Sequence, residues 1–307
     1  MWWIYGTIIA IVIVFLLFYF VGVYFDSVAF NPKRYTSEET IKIESDKGFM
    51  EGYQETKRED YLINSFDGYV LHTTLIKAEK ETKKIVIISH GHTYTKYGSV
   101  KYAMLYRKLG YDSIIYDNRG HGENKRCSIT MGEKEAKDLM EVIKDTYKRY
   151  GDNIYLGLHG ESLGSALSLI ALKYKPNVKF VVSDCAFSNL DVLFRDMIKR
   201  IYHLPKFLVD FASLAAKINY HLNIKKISPI DSLTDNMVPV CFINGDKDDL
   251  MSLDMVDSMY QRNKGYKEMH IFEGARHAES YGVDKKRYLE ILTAFLDKAE
   301  EINEGKK

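Results

Sequence analysis

Gly160-Glu161-Ser162-Leu163-Gly164 sets one serine between two glycines. An apolar run, residues 154–158, leads into it, and a helix-like run, residues 166–172, leads out. Strand, tight turn and helix form the setting in which a G-x-S-x-G serine becomes a nucleophile. The turn points the hydroxyl out at the carboxyl edge of a sheet. Gly160 and Gly164 leave room where a Cβ would collide with neighbouring backbone. The helix behind Ser162 aims free N–H groups, and the positive end of its dipole, at the reacting centre. A serine needs a base, and the base needs an orienting acid. Of nine histidines, only His277 stands just beyond the last apolar run, residues 269–272. That position fits a Ser…Asp…His chain order. Asn244-Gly245-Asp246-Lys247-Asp248-Asp249 follows the preceding run and offers three carboxylates. The turn after Gly245 favours Asp248, three residues on, and leaves Asp246 and Asp249 as turn or helix-capping residues. Asp184, at the end of an earlier run, is a fourth candidate. Its other reading is a buried, hydrogen-bonded loop support.

The oxyanion that develops in acyl transfer needs preorganised N–H donors. One is expected from the backbone of Leu163. The other is expected from the backbone of His92, in the loop Ser89-His90-Gly91-His92-Thr93, where Gly91 permits the bend. His90-x-His92 could also be a zinc pair, but neither an H-E-x-x-H helix nor a third ligand accompanies it, so no metal is expected. Asp117-Asn118-Arg119-Gly120-His121-Gly122 closes another apolar run. Asp117 and Arg119 are expected to tie loops together beside the site.

These residues need a scaffold. Asp67-Gly68 reads as a hairpin turn between two strands spanning residues 61–75. Short, non-alternating apolar runs follow at 85–88, 113–116, 154–158, 180–182, 240–243 and 269–272, as for strands buried on both faces. Helical stretches lie between them at 100–109, 133–150, 163–174, 252–263 and 285–299. The alternation predicts a mostly parallel α/β sheet covered on both sides, with ligands beyond the strands' carboxyl ends. Residues 188–235 break the alternation with an apolar, helical segment, read as a lid over the site.

The chain has 307 residues and a net charge of +1, which gives no electrostatic case for nucleic acid. Three scattered cysteines suggest neither a disulfide framework nor a metal cluster. Residues 2–25 carry no charge, and about 20 apolar residues suffice to cross a bilayer. Trp2, Trp3 and Tyr5 at one end and Tyr19 and Tyr24 at the other resemble interfacial anchors. With no basic residue ahead of the run, an uncleaved single-pass membrane anchor is expected rather than a signal peptide. Lys33 and Arg34 after it point the domain to the cytoplasm, and the outward-facing alternative stays open. Residues 26–58 read as a polar connector without chemistry, in which the Glu- and Lys-rich stretch 36–55 is either a short solvated helix or a loop, and residues 59–307 read as the catalytic domain.

In order and spacing, these motifs resemble the alpha/beta-hydrolase superfamily, from His90-Gly91-His92 through Gly160-Glu161-Ser162-Leu163-Gly164 to Gly245-Asp246-Lys247-Asp248 and His277-Ala278. They look most like the bacterial serine aminopeptidase S33-like and monoacylglycerol-lipase-like enzymes. The resemblance implies an eight-stranded, mostly parallel sheet with a helical cap, no cofactor, and Ser162, Asp248 and His277 as nucleophile, acid and base. One departure is His92, where many relatives carry an apolar or aromatic residue. A serine hydrolase of carboxylic esters or related acyl bonds is therefore expected, acting on a small acyl ester or a short peptide. A serine aminopeptidase is the alternative, for which Asp191, Asp196 and Asp210 could hold a substrate's α-ammonium. A non-catalytic, membrane-tethered binding module on the same fold is the alternative of another class. The sequence does not give the oligomeric state.

Overall fold

Neighbouring residues along the inner strands feed two different cores. Ile85 and Ile87 pack in one cluster with Leu156 and Leu158, while Val86 and Ile88 pack in another with Val182 and Ile243. Strands with two buried faces require a layer of helices on each side. The computed structural model describes residues 2–305. Its strands are β1 (Arg58–Asn64), β2 (Val70–Ile76), β3 (Lys84–Ser89), β4 (Asp112–Tyr116), β5 (Tyr155–Glu161), β6 (Val181–Asp184), β7 (Val240–Gly245) and β8 (Lys267–Phe272). They form one eight-stranded sheet in the order β1-β2-β4-β3-β5-β6-β7-β8. β1 and β2 pair antiparallel, as do β2 and β4, and the remaining pairs are parallel.

The helices are α1 (Trp2–Phe30), α2 (Ser37–Asp46), α3 (Val100–Lys108), α4 (Glu135–Tyr150), α5 (Leu163–Ala171), α6 (Leu190–Arg200), α7 (Leu208–Asn219), α8 (Leu253–Arg262), the single turn α9 (Ser280–Val283) and α10 (Lys285–Glu304). In α10, Tyr288, Leu292, Phe295, Leu296 and Ala299 are buried, as the helical spacing of its apolar residues requires. The Asp284 carboxylate caps this helix by accepting the Arg287 N–H at 2.9 Å. Between β6 and β7, α6 and α7 form the helical segment expected there.

The N-terminal region differs from expectation. Asp26 and Ser27 end the uncharged run, yet the helix continues to Phe30, one residue short of the Asn31-Pro32 step that disfavours helix. Phe30 is buried, with its ring 5.0 Å from that of Tyr220. The following segment is docked rather than merely solvated. The Arg34 guanidinium donates to the carbonyls of Gly120 (2.6 Å), Cys127 (2.8 Å) and Phe30 (3.2 Å). α2 starts with a capping box: Thr36 Oγ1 accepts the Glu39 N–H, and the Glu39 carboxylate accepts the Thr36 N–H. Thr40 and Glu44 on its inner face are buried.

Candidate active site

Ser162 sits between β5 and α5 with φ 55° and ψ −117°. A non-glycine residue pays about 1–3 kcal/mol for such backbone, so the surroundings must impose it. The Ser162 N–H donates to the Asp184 carbonyl (2.8 Å), and its own carbonyl accepts the Ala166 N–H (3.0 Å). Glu161, one residue earlier, is held from behind by Lys101 Nζ at 2.5 Å and by the Tyr102 hydroxyl at 2.6 Å. The glycines answer to space. A Cβ on Gly164 would lie 1.9 Å from the Ser89 carbonyl oxygen, and one on Gly160 would lie 2.2 Å from the Gly164 carbonyl carbon. α5 therefore rests directly on the end of β3. Gly164→Ala is expected to push the β3 loop off the serine and lower turnover about 10²-fold, the usual cost of a misplacement near 1 Å. Steady-state kinetics beside a melting curve check this, and wild-type values in both would show that the close approach is dispensable.

His277 lies between β8 and α9. Its Nε2 is 2.8 Å from Ser162 Oγ, and its Nδ1 is 2.8 Å from Asp248 Oδ2. Asp248 is itself fixed, because its Oδ1 accepts the N–H groups of Leu250 (2.9 Å) and Met251 (2.8 Å). Burial works against a charged imidazole at His277, but the hydrogen bond and charge of Asp248 outweigh it and hold the ring above its usual 6.5. The competing carboxylates point elsewhere. Asp246 Oδ1 accepts the Gly274 N–H (2.6 Å), as expected of a turn residue. Asp249 pairs with Arg276 (3.1 Å) and caps no helix; Ser252 stands at the start of α8. Asp184 is fully buried behind the serine, with Oδ2 accepting the hydroxyls of Tyr102 (3.1 Å) and Tyr288 (3.0 Å). Burial, then the charge of Glu161, pushes its carboxyl up to about 7.

As the first residue of α5, Leu163 has an N–H with no helical acceptor. The loop after β3 lies against the serine, since a Cβ on Gly91 would be 3.5 Å from Ser162 Cβ. Among the described residues the His92 N–H has no backbone acceptor. The His92 ring donates through Nε2 to the Ala29 carbonyl of α1 (2.9 Å). Burial keeps this ring neutral, below its usual value. His90 uses both ring nitrogens, Nδ1 with the Gly91 carbonyl and Nε2 accepting the Asn118 N–H. Asp117 accepts the N–H groups of Lys96 and Glu123, and Arg119 bridges Asp67 and Asp138. Both tie loops beside the site.

Over Ser162 and His277 lies a cavity of about 420 Å³ whose walls are almost wholly apolar. Phe187, Leu193, Met197 and Val209 line it from the β6–β7 segment. Phe25, Val28 and Ala29 line it from α1. The α1 wall is not foreseen from sequence when the span is closed at residue 25. A signal was present, because Phe18, Gly22, Phe25 and Ala29 continue one helical stripe. Cys185 is a second addition: its sulfur, the Asp248 carboxylate and the His277 ring offer atoms within 4.8 Å of one another. Asp191 and Asp210 both pair with Arg195, and Asp196 pairs with Arg200, so these three carboxylates do not converge on the cavity.

Residues 97–301 match the pattern of the prolyl oligopeptidase family, peptidase family S9. The chain belongs to this family. It is accordingly a serine hydrolase of the α/β-hydrolase superfamily, of esterase or peptidase type. The match lies in the superfamily that the motifs resemble, under a different family name from the S33-like group. Bacillus subtilis YqkD, an uncharacterised protein, is 27% identical over 289 residues, covering 92% of this chain and 94% of that protein. The fold is shared with the Pyrococcus furiosus esterase Pf2001 (TM-score 0.67, 22% identity, 87% of this chain and 99% of that one). It is shared too with the Pyrococcus horikoshii acylaminoacyl peptidase (TM-score 0.60, 18% identity), of which 79% of this hydrolase covers 41%.

Proposed function

We propose that this hydrolase is a membrane-anchored carboxylesterase for substrates with an apolar acyl group. The cavity above Ser162 carries the assignment: among the described residues no carboxylate lines it, so it favours hydrocarbon and offers nothing to a substrate's α-ammonium. Ser162 Oγ attacks the ester carbonyl as His277 Nε2 takes its proton. The carbonyl electrons move onto oxygen, where the N–H groups of Leu163 and His92 stabilise the charge. Collapse expels the alkoxide, which takes the proton from His277. Water then attacks the acyl-enzyme by the same route and restores Ser162. Asp248 keeps the imidazole proton on Nδ1 and stabilises the cation.

α1 has 29 residues and is long and apolar enough to cross a membrane. Its last turns wall the cavity, and its Ala29 carbonyl holds the His92 ring. Removal as a signal peptide would open the site, which favours retention as an anchor.

Family membership supports a second reading as a peptidase. With no carboxylate in the cavity, its peptide would be blocked at the N-terminus. A panel of p-nitrophenyl esters of rising chain length, run beside free and N-acylated aminoacyl anilides, tests both. At about 0.8 kcal/mol per buried methylene, kcat/KM is expected to rise at least ~10-fold from acetate to octanoate. Free aminoacyl anilides turning over faster than every ester would sink the esterase assignment.

A further inference from the structure

Tyr202, Val209 and Ala212 line the cavity over Ser162 and also belong to the segment that packs along α1. The packing is close. A Cβ on Gly22 would lie 2.6 Å from the Phe211 carbonyl carbon, so the α7 backbone rests on α1. Ring contacts extend the seam in both directions: Phe15 to Phe211 at 5.7 Å, Phe18 to Phe207 at 5.5 Å and Phe25 to Tyr202 at 5.2 Å. Depth along α1 follows from helix geometry. At ~1.5 Å per residue, the ~30 Å hydrocarbon core takes about 20 residues, reaching from Trp2 to about residue 22. Phe15 and Phe18 then lie roughly 6–10 Å inside the nearer interface, and the rings of Phe207 and Phe211 lie with them.

The segment suits that depth. Ile201, Tyr202, Leu204 and Phe207 leave large apolar surface exposed, 38% of Leu204 and 48% of Phe207. Its single carboxylate, Asp210, is paired with Arg195 at 2.5 Å. Lys199, Arg200 and Lys206 can run their stems along the apolar surface and keep their charges at the headgroups. The patch is continuous with α1, whose outer face is exposed along its length.

Resting on the anchor assignment above, we propose that residues 201–211 are seated in the same leaflet as the upper half of α1. The cavity then takes its ester sideways from the bilayer. Its substrate is a lipid acyl ester delivered by the membrane, not a solute delivered by water.

Depth and activity test this on the full chain reconstituted in phosphatidylcholine vesicles. Trp2 and Trp3 are the only tryptophans, so Phe207→Trp combined with Trp2→Phe and Trp3→Phe reports on position 207 alone. Its emission is expected to be quenched by lipid brominated near the headgroup and shielded from aqueous iodide. Free quenching by iodide, or shielding that follows protein concentration and so marks a second copy, would overturn the proposal. Leu204→Gln with Phe207→Gln alters the patch outside the cavity lining. Turnover of p-nitrophenyl acetate is expected to stay within twofold, while turnover of a vesicle-embedded long-chain ester falls at least fivefold. An equal change on both substrates would overturn lateral loading. Absence of all esterase activity in the wild type would instead strike the esterase assignment and leave the depth measurement to decide where the segment lies.

Discussion

Ser162→Ala is expected to lower ester turnover by about 10³ or more while leaving the fold intact. Its Oγ is the one atom placed to bond a carbonyl carbon and pass a proton 2.8 Å to His277 Nε2. Among the described residues no other hydroxyl bonds that nitrogen. Folding should survive, because the elbow is held by backbone hydrogen bonds to Asp184 and Ala166 and by packing at Gly160 and Gly164, none of which uses Oγ. His277→Ala should cost a similar factor, and the double variant little more, since nucleophile and base act as one unit. Steady-state rates with circular dichroism check the pair, and a fluorophosphonate probe should label the wild type at Ser162. Near-full activity in Ser162→Ala would remove the mechanism. Failure of the probe to label the wild type would favour the binding-module alternative.

Strands were the most legible part of this chain because burial on both faces leaves little but apolar residues. Residues 85–88, 113–116 and 240–243 each fall inside an observed strand. β5 runs three residues past its apolar stretch, through His159 to Glu161, because the polar residues there are paired from behind. That pairing was not legible. Lys101, Tyr102, Glu161, Asp184 and Tyr288 form a buried polar cluster, and charged side chains far apart in sequence read as surface until the fold brings them together. The row Ser162–His277–Asp248 was legible because strand ends and chain order constrain it. The α1 wall was not, because the uncharged run ends before Asp26 while the helical backbone continues to Phe30. Hydropathy marks where a helix suits lipid, whereas Pro32 and the burial of Phe30 mark where it ends. The consequence is functional, since the segment that would tether the enzyme also shapes its cavity and holds the His92 loop.

Asp248→Asn and Asp184→Asn separate the two buried carboxylates by effect and by pH. In Asp248→Asn the amide oxygen can keep the Leu250 and Met251 N–H groups, which leaves the NH₂ facing His277 Nδ1. Two donors cannot face each other, so the imidazole must move its proton to Nε2. That nitrogen then donates towards Ser162 Oγ and cannot accept its proton, and turnover is expected to fall by about 10³–10⁴. Asp184→Asn keeps an acceptor for Tyr102 and Tyr288 and resembles the protonated acid, towards which burial shifts this carboxyl by pushing it up to about 7. Less than about a tenfold loss is expected there, because it touches no reacting atom. The pH profile gives the sign independently. The base works only when neutral, so wild-type kcat/KM should be lost as pH falls through a midpoint above 6.5, where Asp248 holds His277. Removing that charge leaves burial, which favours the neutral ring, and the residual activity of Asp248→Asn should persist to lower pH. A profile that shifts with Asp184→Asn and not with Asp248→Asn would transfer the orienting role to Asp184.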